Sequence, residues 1–200
     1  MKDIILIGAG GHCESCIEII EKEKKFKILG LVDNKKKGFF LGYKILGSDK
    51  DLLKLRSLTD NSFVTLGQIK NYEKRKKIFK KLLKLKFYIP QIISNLSYIS
   101  KKTLIKNGVI VMNGCIINSG SVIGNNCIIN NGSIIEHNVI IGDNCHISVG
   151  AIINGNARIG NNCFIGSGAI IKNKISIGNN CIIGMGKVVK RNVLDNEILK

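Results

Sequence analysis

The 200-residue chain has no tryptophan, a single proline, and aromatic residues amounting to only 6%. Rings can therefore supply only a small part of its core. Acids are scarce as well: 14 Asp and Glu stand against 31 Lys and Arg, for a formal net charge of +17. That balance fits nucleic acid, a membrane surface or phosphate-bearing small molecules as partners. No basic motif is interleaved with aromatics, so no nucleic acid partner is expected. No apolar run approaches the roughly 18 residues that would span a bilayer, so no transmembrane segment is expected. Met1-Lys2-Asp3 leads directly into an apolar strand without a signal-peptide layout, and the chain reads as cytoplasmic.

What the sequence does have is a beat. From Ile93 to Val189 an isoleucine or valine recurs at every sixth residue, seventeen times without a failure. Four residues after each member a second beat falls on small or modest residues such as Cys115, Ser121, Cys127, Ser133, Cys145 and Ala151. The pentad Ile123-Gly124-Asn125-Asn126-Cys127 returns with small changes at Ile141, Ile159 and Ile177, every eighteen residues. So short a period means a three-sided solenoid whose coils bury their apolar faces only by stacking. Five of the seven cysteines fall on the second beat, where a cysteine is a small buried hydrophobe. Cys13 and Cys16 form a C-x-x-C without a second pair to complete a zinc site, so packing is again the expectation and no metal is expected.

Residues 1–90 read differently. The apolar run Asp3–Ile7 ends in Gly8-Ala9-Gly10-Gly11-His12, and a helical pattern follows to about Lys25. Strand, glycine turn and helix make a phosphate-friendly corner. A second strand, Ile28 to Val32, ends at Asp33, where a nucleotide-binding βαβ unit places its ribose-binding acid. A third, Ser62 to Leu66, ends at Gly67; Glu73 to Leu85 is predicted helical, with Ile78, Phe79, Leu82 and Leu83 inward and a solvated lysine face. Phe87 to Ile89 is a last short strand before Pro90. The expected architecture is an α/β N-terminal nucleotide-binding-like domain with a short parallel sheet over 1–90, then a solenoid over 91–200. Ligands bind at the carboxyl ends of such strands.

On the solenoid, alternation turns the residue before each leading one outward. Tyr98, Ile116, Ile134, Ile152, Ile170 and Val188 form one apolar stripe, and Ile110, Ile128, His146, Phe164 and Ile182 another. Two such stripes on one prism suggest that the first face of one copy packs on the second stripe of the next. In that arrangement His137, at the corner after the first stripe, lies near a neighbour's His146.

The Ile-Gly-x-x-small hexads resemble those of the hexapeptide-repeat acyltransferases, which implies a left-handed parallel β-helix and a homotrimer. Gly8 to His12, Ile135-Glu136-His137 and the segment Ile141 to Ala151 together resemble the bacterial sugar acetyltransferases of the sialic-acid O-acetyltransferase and bacillosamine N-acetyltransferase type. The resemblance implies acetyl transfer from acetyl-CoA to the amino group of a nucleotide-linked amino sugar, for bacterial surface glycans. It assigns His137 as general base with Asn138 and Glu136 beside it. Acetyl-CoA contacts fall on His146, Gly155, Ser167 and Met185, with the Gly155 N–H toward the thioester oxygen. Nucleotide-sugar contacts fall on Gly10, Gly11, His12, Asp33, Asn34 and Gly67. Two departures stand out: Asn138 replaces the usual acid after the histidine, and the usual Gly-x-Pro-Ala-Lys ending is absent. Without that acid, a weak enzyme or a non-catalytic sugar-nucleotide-binding module is an alternative, as is O-acetylation of a sialic-acid-type sugar. A hexapeptide-repeat carbonic anhydrase would need three zinc-binding histidines on the solenoid, which holds only His137 and His146.

Overall fold

The structure is a computed structural model that describes residues 1–69 and 71–200. The chain divides into two compact units, one of Met1–Gly67 with Glu73–Ile92, the other of Gln68–Tyr72 with Ile93–Lys200.

The first unit is a five-stranded sheet flanked by helices. Its elements are β1 (Lys2–Ile7), α1 (Gly11–Glu23), β2 (Phe26–Val32), β3 (Phe39–Phe40), β4 (Tyr43–Gly47), α2 (Leu52–Leu55), β5 (Asn61–Val64) and α3 (Glu73–Lys84). The strand order is β3-β4-β2-β1-β5, with β1 parallel to both β2 and β5 and β2 parallel to β4. β1 lies inside the sheet, between β2 and β5, and Ile4 to Ile7 are all buried, which is why this strand is a continuous apolar run with no alternation. The expected Phe87–Ile89 strand is reduced to a single bridge, Tyr88 to Asn61.

Two features differ from the sequence reading. The sheet is not wholly parallel, because β3 and β4 form an antiparallel hairpin. Its two-residue turn has positive φ at both Leu41 and Gly42, 47° and 79°, a geometry matching strand twist that usually recruits Asn-Gly. In α3, Ile78, Phe79 and Leu82 are buried as expected, but Leu83 faces water and Arg75 is only 1% exposed. Arg75 Nη1 donates to the carbonyls of Val64 and Leu66 at 2.7 and 2.8 Å, so a cation closes the free backbone acceptors just past β5.

The second unit is the solenoid. Its two-residue strands stack into three parallel sheets in which each residue pairs with the one eighteen positions on, as Ile116 with Ile134 and Ile140 with Arg158. From Ile117 to Ile183 the leading isoleucines are buried or nearly so, and the small residues of the second beat fill the space between them. Each coil has three corners, and the third residue of each corner needs a left-handed backbone. Gly108, Gly114, Gly120, Asn126, Gly132, Asn138, Asn144, Gly150 and Asn156 all have φ between 57° and 75°. Glycine and asparagine are the residues that tolerate this conformation, which accounts for the richness in both. The buried cysteines add a ladder, the Sγ of Cys145 and Cys163 lying 3.0 Å from the carbonyls of Gly160 and Gly178.

The two outward stripes differ. Tyr98, Ile116 and Val188 on the first are exposed, so that face is open. On the other, Ile110 and Ile128 are fully buried and His146 is 6% exposed within a single chain. The sequence reading left His146 on an open stripe; the chain itself covers it.

Candidate active site

Taking the three solenoid sheets in chain order, the first through Ile134–Ile135, the second through Ile140–Ile141 and the third through His146–Ile147, His137 stands exposed at the corner between the first and second. One coil further, in the same column, sits Gly155. A Cβ there would lie 2.6 Å from His137 Nε2 and 2.7 Å from Cε1, so the imidazole lies against bare backbone and only glycine leaves it room. The backbone holds the pair in register, with Asn156 N donating to the His137 carbonyl at 3.0 Å.

The amide of Gly155 differs from those at the next corner. There Asn125, Asp143, Asn161 and Asn179 each donate their N–H to the side-chain oxygen one coil on, at 2.7–2.8 Å. In the His137 column the successive residues are Ser119, His137, Gly155 and Asn173, and among the described residues the Gly155 N–H meets no acceptor. A free donor 18 residues on from an exposed imidazole is an arrangement able to bind a developing oxyanion.

Asn138 occupies the left-handed position of this corner (φ 57°), and its Nδ2 lies 3.3 Å from His137 Nδ1. Turning the amide, whose oxygen and nitrogen have nearly the same shape, lets Oδ1 accept from Nδ1–H and leaves the Nε2 lone pair toward Gly155. Glu136 is not brought to the imidazole. Its Oε2 accepts from Asn118 Nδ2 at 3.1 Å, one coil below. A strand neighbour points away from the corner, so Glu136 does not replace the missing acid.

The expected acetyl-CoA contacts separate into two groups. Ser167 and Met185 are exposed and stack one coil apart at the corner after the third sheet, with Ser167 Oγ 2.9 Å from Ser148 Oγ. That corner is not the one carrying His137 and Gly155, so one chain alone does not unite them. His146 is committed elsewhere. Its Nδ1 donates to the Gln68 carbonyl, Asn130 Nδ2 lies 3.2 Å from Nε2, and Phe164 packs edge-on at 5.2 Å. Gln68 Nε2 in turn donates to the Asn144 carbonyl at 2.8 Å. His146 thus pins Gln68 to the solenoid and keeps no ring nitrogen for a ligand. No periodicity marks Gln68, so its docking could not be read from the sequence.

In the first unit the residues expected to meet the nucleotide gather at the carboxyl ends of β1, β2 and β5. Gly8 (φ 111°) must be glycine because a Cβ would meet Leu66 Cδ2 at 2.6 Å. Gly10 and Gly11 open α1 with nothing within 4 Å of a would-be Cβ, leaving the helix N-terminus accessible. His12 follows, half-buried, and a Cβ on Gly67 would sit 3.4 Å from its own Cβ. Asp33 ties the strand ends together: Oδ2 accepts from Ala9 N at 3.0 Å, and Oδ1 from Lys35 N and Lys36 N at 2.8 and 3.0 Å. Burial pushes its carboxyl up, but these backbone donors outweigh burial and hold it below the usual carboxylate value. Asn34 pairs with Asp49, Nδ2 reaching Oδ2 at 2.7 Å. Gly8, Asp33, Asn34 and Lys35 line a cavity of about 470 Å³.

The C-x-x-C is buried. Burial raises the Cys13 thiol to about 11, partly offset by the Thr65 hydroxyl, and the Cys16 thiol is raised further. Neither offers a thiolate near neutral pH. Among the described residues no three of His, Cys, Asp or Glu gather closely enough to hold a metal ion, and no helix is long and apolar enough to cross a membrane.

Residues 3–82 match the PglD N-terminal domain, and residues 120–155 and 156–191 match the bacterial transferase hexapeptide family. No curated protein matches the chain in sequence. Among solved structures, a variant of GDP-perosamine N-acetyltransferase from Caulobacter crescentus, in complex with CoA and GDP-perosamine, is similar at a TM-score of 0.94 and 28% identity, covering 99% of this chain and 93% of that one. The acetyltransferase domain of PglB from Neisseria gonorrhoeae, in complex with acetyl coenzyme A, is similar at 0.91 and 27% identity over 98% and 95%. WeeI from Acinetobacter baumannii shares the fold, at 0.88 and 24% identity over 100% and 97%. Similar to these sugar acetyltransferases over nearly its whole length, with a PglD-type N-terminal domain ahead of a left-handed parallel β-helix, the chain is an acetyltransferase of the hexapeptide-repeat type.

Proposed function

We propose that this chain moves the acetyl group of acetyl-CoA onto the amino nitrogen of a nucleotide-linked amino sugar, with His137 as general base. The observation that carries the reading is His137 Nε2 held against the bare backbone of Gly155 at an exposed corner. The structural neighbours are crystallised with substrates and the thiol product of such a reaction, CoA with GDP-perosamine in one and acetyl coenzyme A in the other.

A sugar ammonium first gives one proton to solvent; its second proton must leave as the nitrogen attacks, and imidazole suits that transfer near neutral pH. His137 Nε2 takes the proton as the nitrogen bonds to the thioester carbonyl carbon. The carbonyl oxygen gains negative charge opposite the Gly155 N–H, which is already in place and needs no reorganisation. Collapse breaks the C–S bond, and the departing sulfur takes the proton from His137 to leave as the CoA thiol. No residue is acylated, which is consistent with thiols that are all buried. Asn138, with Oδ1 toward Nδ1–H, fixes the imidazole tautomer but supplies no charge to steady the imidazolium. We therefore infer a slower enzyme than one with a carboxylate in that place.

Ser167 and Met185 stand at another corner, so their proposed contacts with acetyl-CoA come from a neighbouring copy. The open apolar stripe from Tyr98 to Val188 is the face on which that copy packs, closing a homotrimer. His146 we assign to holding Gln68 rather than to acetyl-CoA, because its ring nitrogens are engaged within the chain. The test is acetyl-CoA with a panel of UDP- and GDP-linked amino sugars and free nonulosonic acids, followed by thiol release. Turnover on the nucleotide-linked amines is expected. Turnover on free nonulosonic acids alone would turn the reading to O-acetylation, and none on any acceptor would leave a binding module.

A further inference from the structure

The lysine face of α3 is more than a solvated surface. Lys74, Lys77 and Lys81 fall at i, i+3 and i+7, one side of the helix, and all three line the same cavity of about 470 Å³ as Gly8 and Asp33. We propose that Lys74 and Lys77, with Lys35 of the same cavity lining, grip the diphosphate of the nucleotide-linked substrate; this rests on the preceding reading of the substrate class.

The charges of the cavity support an anion of a definite size. Four lysines (35, 74, 77 and 81) and two aspartates (33 and 49) line it, an excess of two positive charges. Among the described residues neither acid forms an ion pair with these lysines. Asp33 is spent on three backbone N–H groups, and Asp49 takes the Asn34 amide. Lys81 is anchored by donating to the Asp49 carbonyl. Among the described residues, no ion pair involves Lys35, Lys74 or Lys77. Unpaired ammonium groups converging on a cavity gain most from a ligand that brings its own negative charge. The diphosphate linking a nucleoside to a sugar carries two such charges, which balances the excess. The cavity also adjoins the glycine turn at the β1 end, where ligands of open α/β sheets sit.

Titration calorimetry on the full chain with UDP, GDP and inorganic pyrophosphate reads this directly, without turnover. The parent is expected to bind a nucleoside diphosphate. The double variant K74A/K77A should bind it at least about tenfold more weakly, with a shallower dependence on salt, while K74R/K77R keeps most of the affinity. Unchanged melting temperature and unchanged acetyl-CoA binding would show that the loss is local. Equal affinity of K74A/K77A and parent, or no binding of any diphosphate by the parent, would overturn the proposal. Lysine-dependent diphosphate binding without acetyl transfer would sustain it and sink the transferase reading. Transfer to a nucleotide-linked sugar with an unchanged KM in K74A/K77A would do the reverse.

Discussion

Replacing Gly155 with alanine is the sharpest local perturbation this site offers. The added Cβ would stand 2.6 Å from His137 Nε2, and ordinary contact begins at 3.4 Å, so the imidazole must retreat by about 0.8 Å. Gly155 is not among the positive-φ positions, so its backbone accepts alanine. The displaced group is the end of an exposed side chain. The cost to folding should therefore stay within about 1 kcal/mol, a few degrees of melting temperature for a chain of this size. Activity is another matter. A misplacement near 1 Å at a reacting group costs roughly a hundredfold, or about 2.7 kcal/mol of transition-state stabilisation. Gly155→Ala should accordingly keep its melting curve and lose about two orders of magnitude in kcat, with KM for acetyl-CoA changed far less. Measured kcat beside thermal unfolding checks both halves. Full activity in the alanine variant would refute the placement of chemistry between His137 and Gly155.

Further predictions follow from the same geometry. Asn138→Asp keeps a residue type that tolerates the left-handed corner and puts a carboxylate beside His137 Nδ1; kcat should rise at least about tenfold, and a rate at or below the parent's would count against Asn138 as the orienting group. Arg75→Ala strips the donor from two backbone carbonyls and leaves an unfilled buried space, so chemical denaturation should show a loss of about 2–4 kcal/mol. A loss under about 0.5 kcal/mol would mean water satisfies those carbonyls. Asp33 has its folded value held down by backbone donors, so its contribution is present above the unfolded value near 3.9 and lost as pH falls through the folded value. Below about pH 4 the parent's melting temperature should therefore fall more steeply than that of Asp33→Asn; parallel acid limbs would contradict this.

The solenoid was legible because its constraint is periodic. A residue that must point inward at every sixth position writes itself into the sequence, and an eighteen-residue coil places Gly155 over His137 by arithmetic alone. The glycine turn at Gly8 and the acid ending β2 were legible for a similar reason, since few residue types fit those backbones. What escaped was set by contacts between segments without a repeat. The β3–β4 hairpin hides because Leu41, rather than asparagine, takes the first left-handed turn position. Arg75 looks like one more surface cation until the free carbonyls past β5 are placed beside it. The pinning of Gln68 by His146 spans 78 residues with no local signature. The lysines of α3 show only that one helix face is charged; whether a cavity lies beneath it depends on the sheet edge it packs against.

Steady-state release of CoA thiol from acetyl-CoA, with a nucleotide-linked amino sugar as acceptor, should be compared for the parent and for His137→Ala. A general base contributes roughly 10²–10⁴-fold, so the variant should retain its fold and its affinity for acetyl-CoA while kcat falls by at least a hundredfold. A variant that turns over at the parent's rate would contradict the assignment of this histidine as the base.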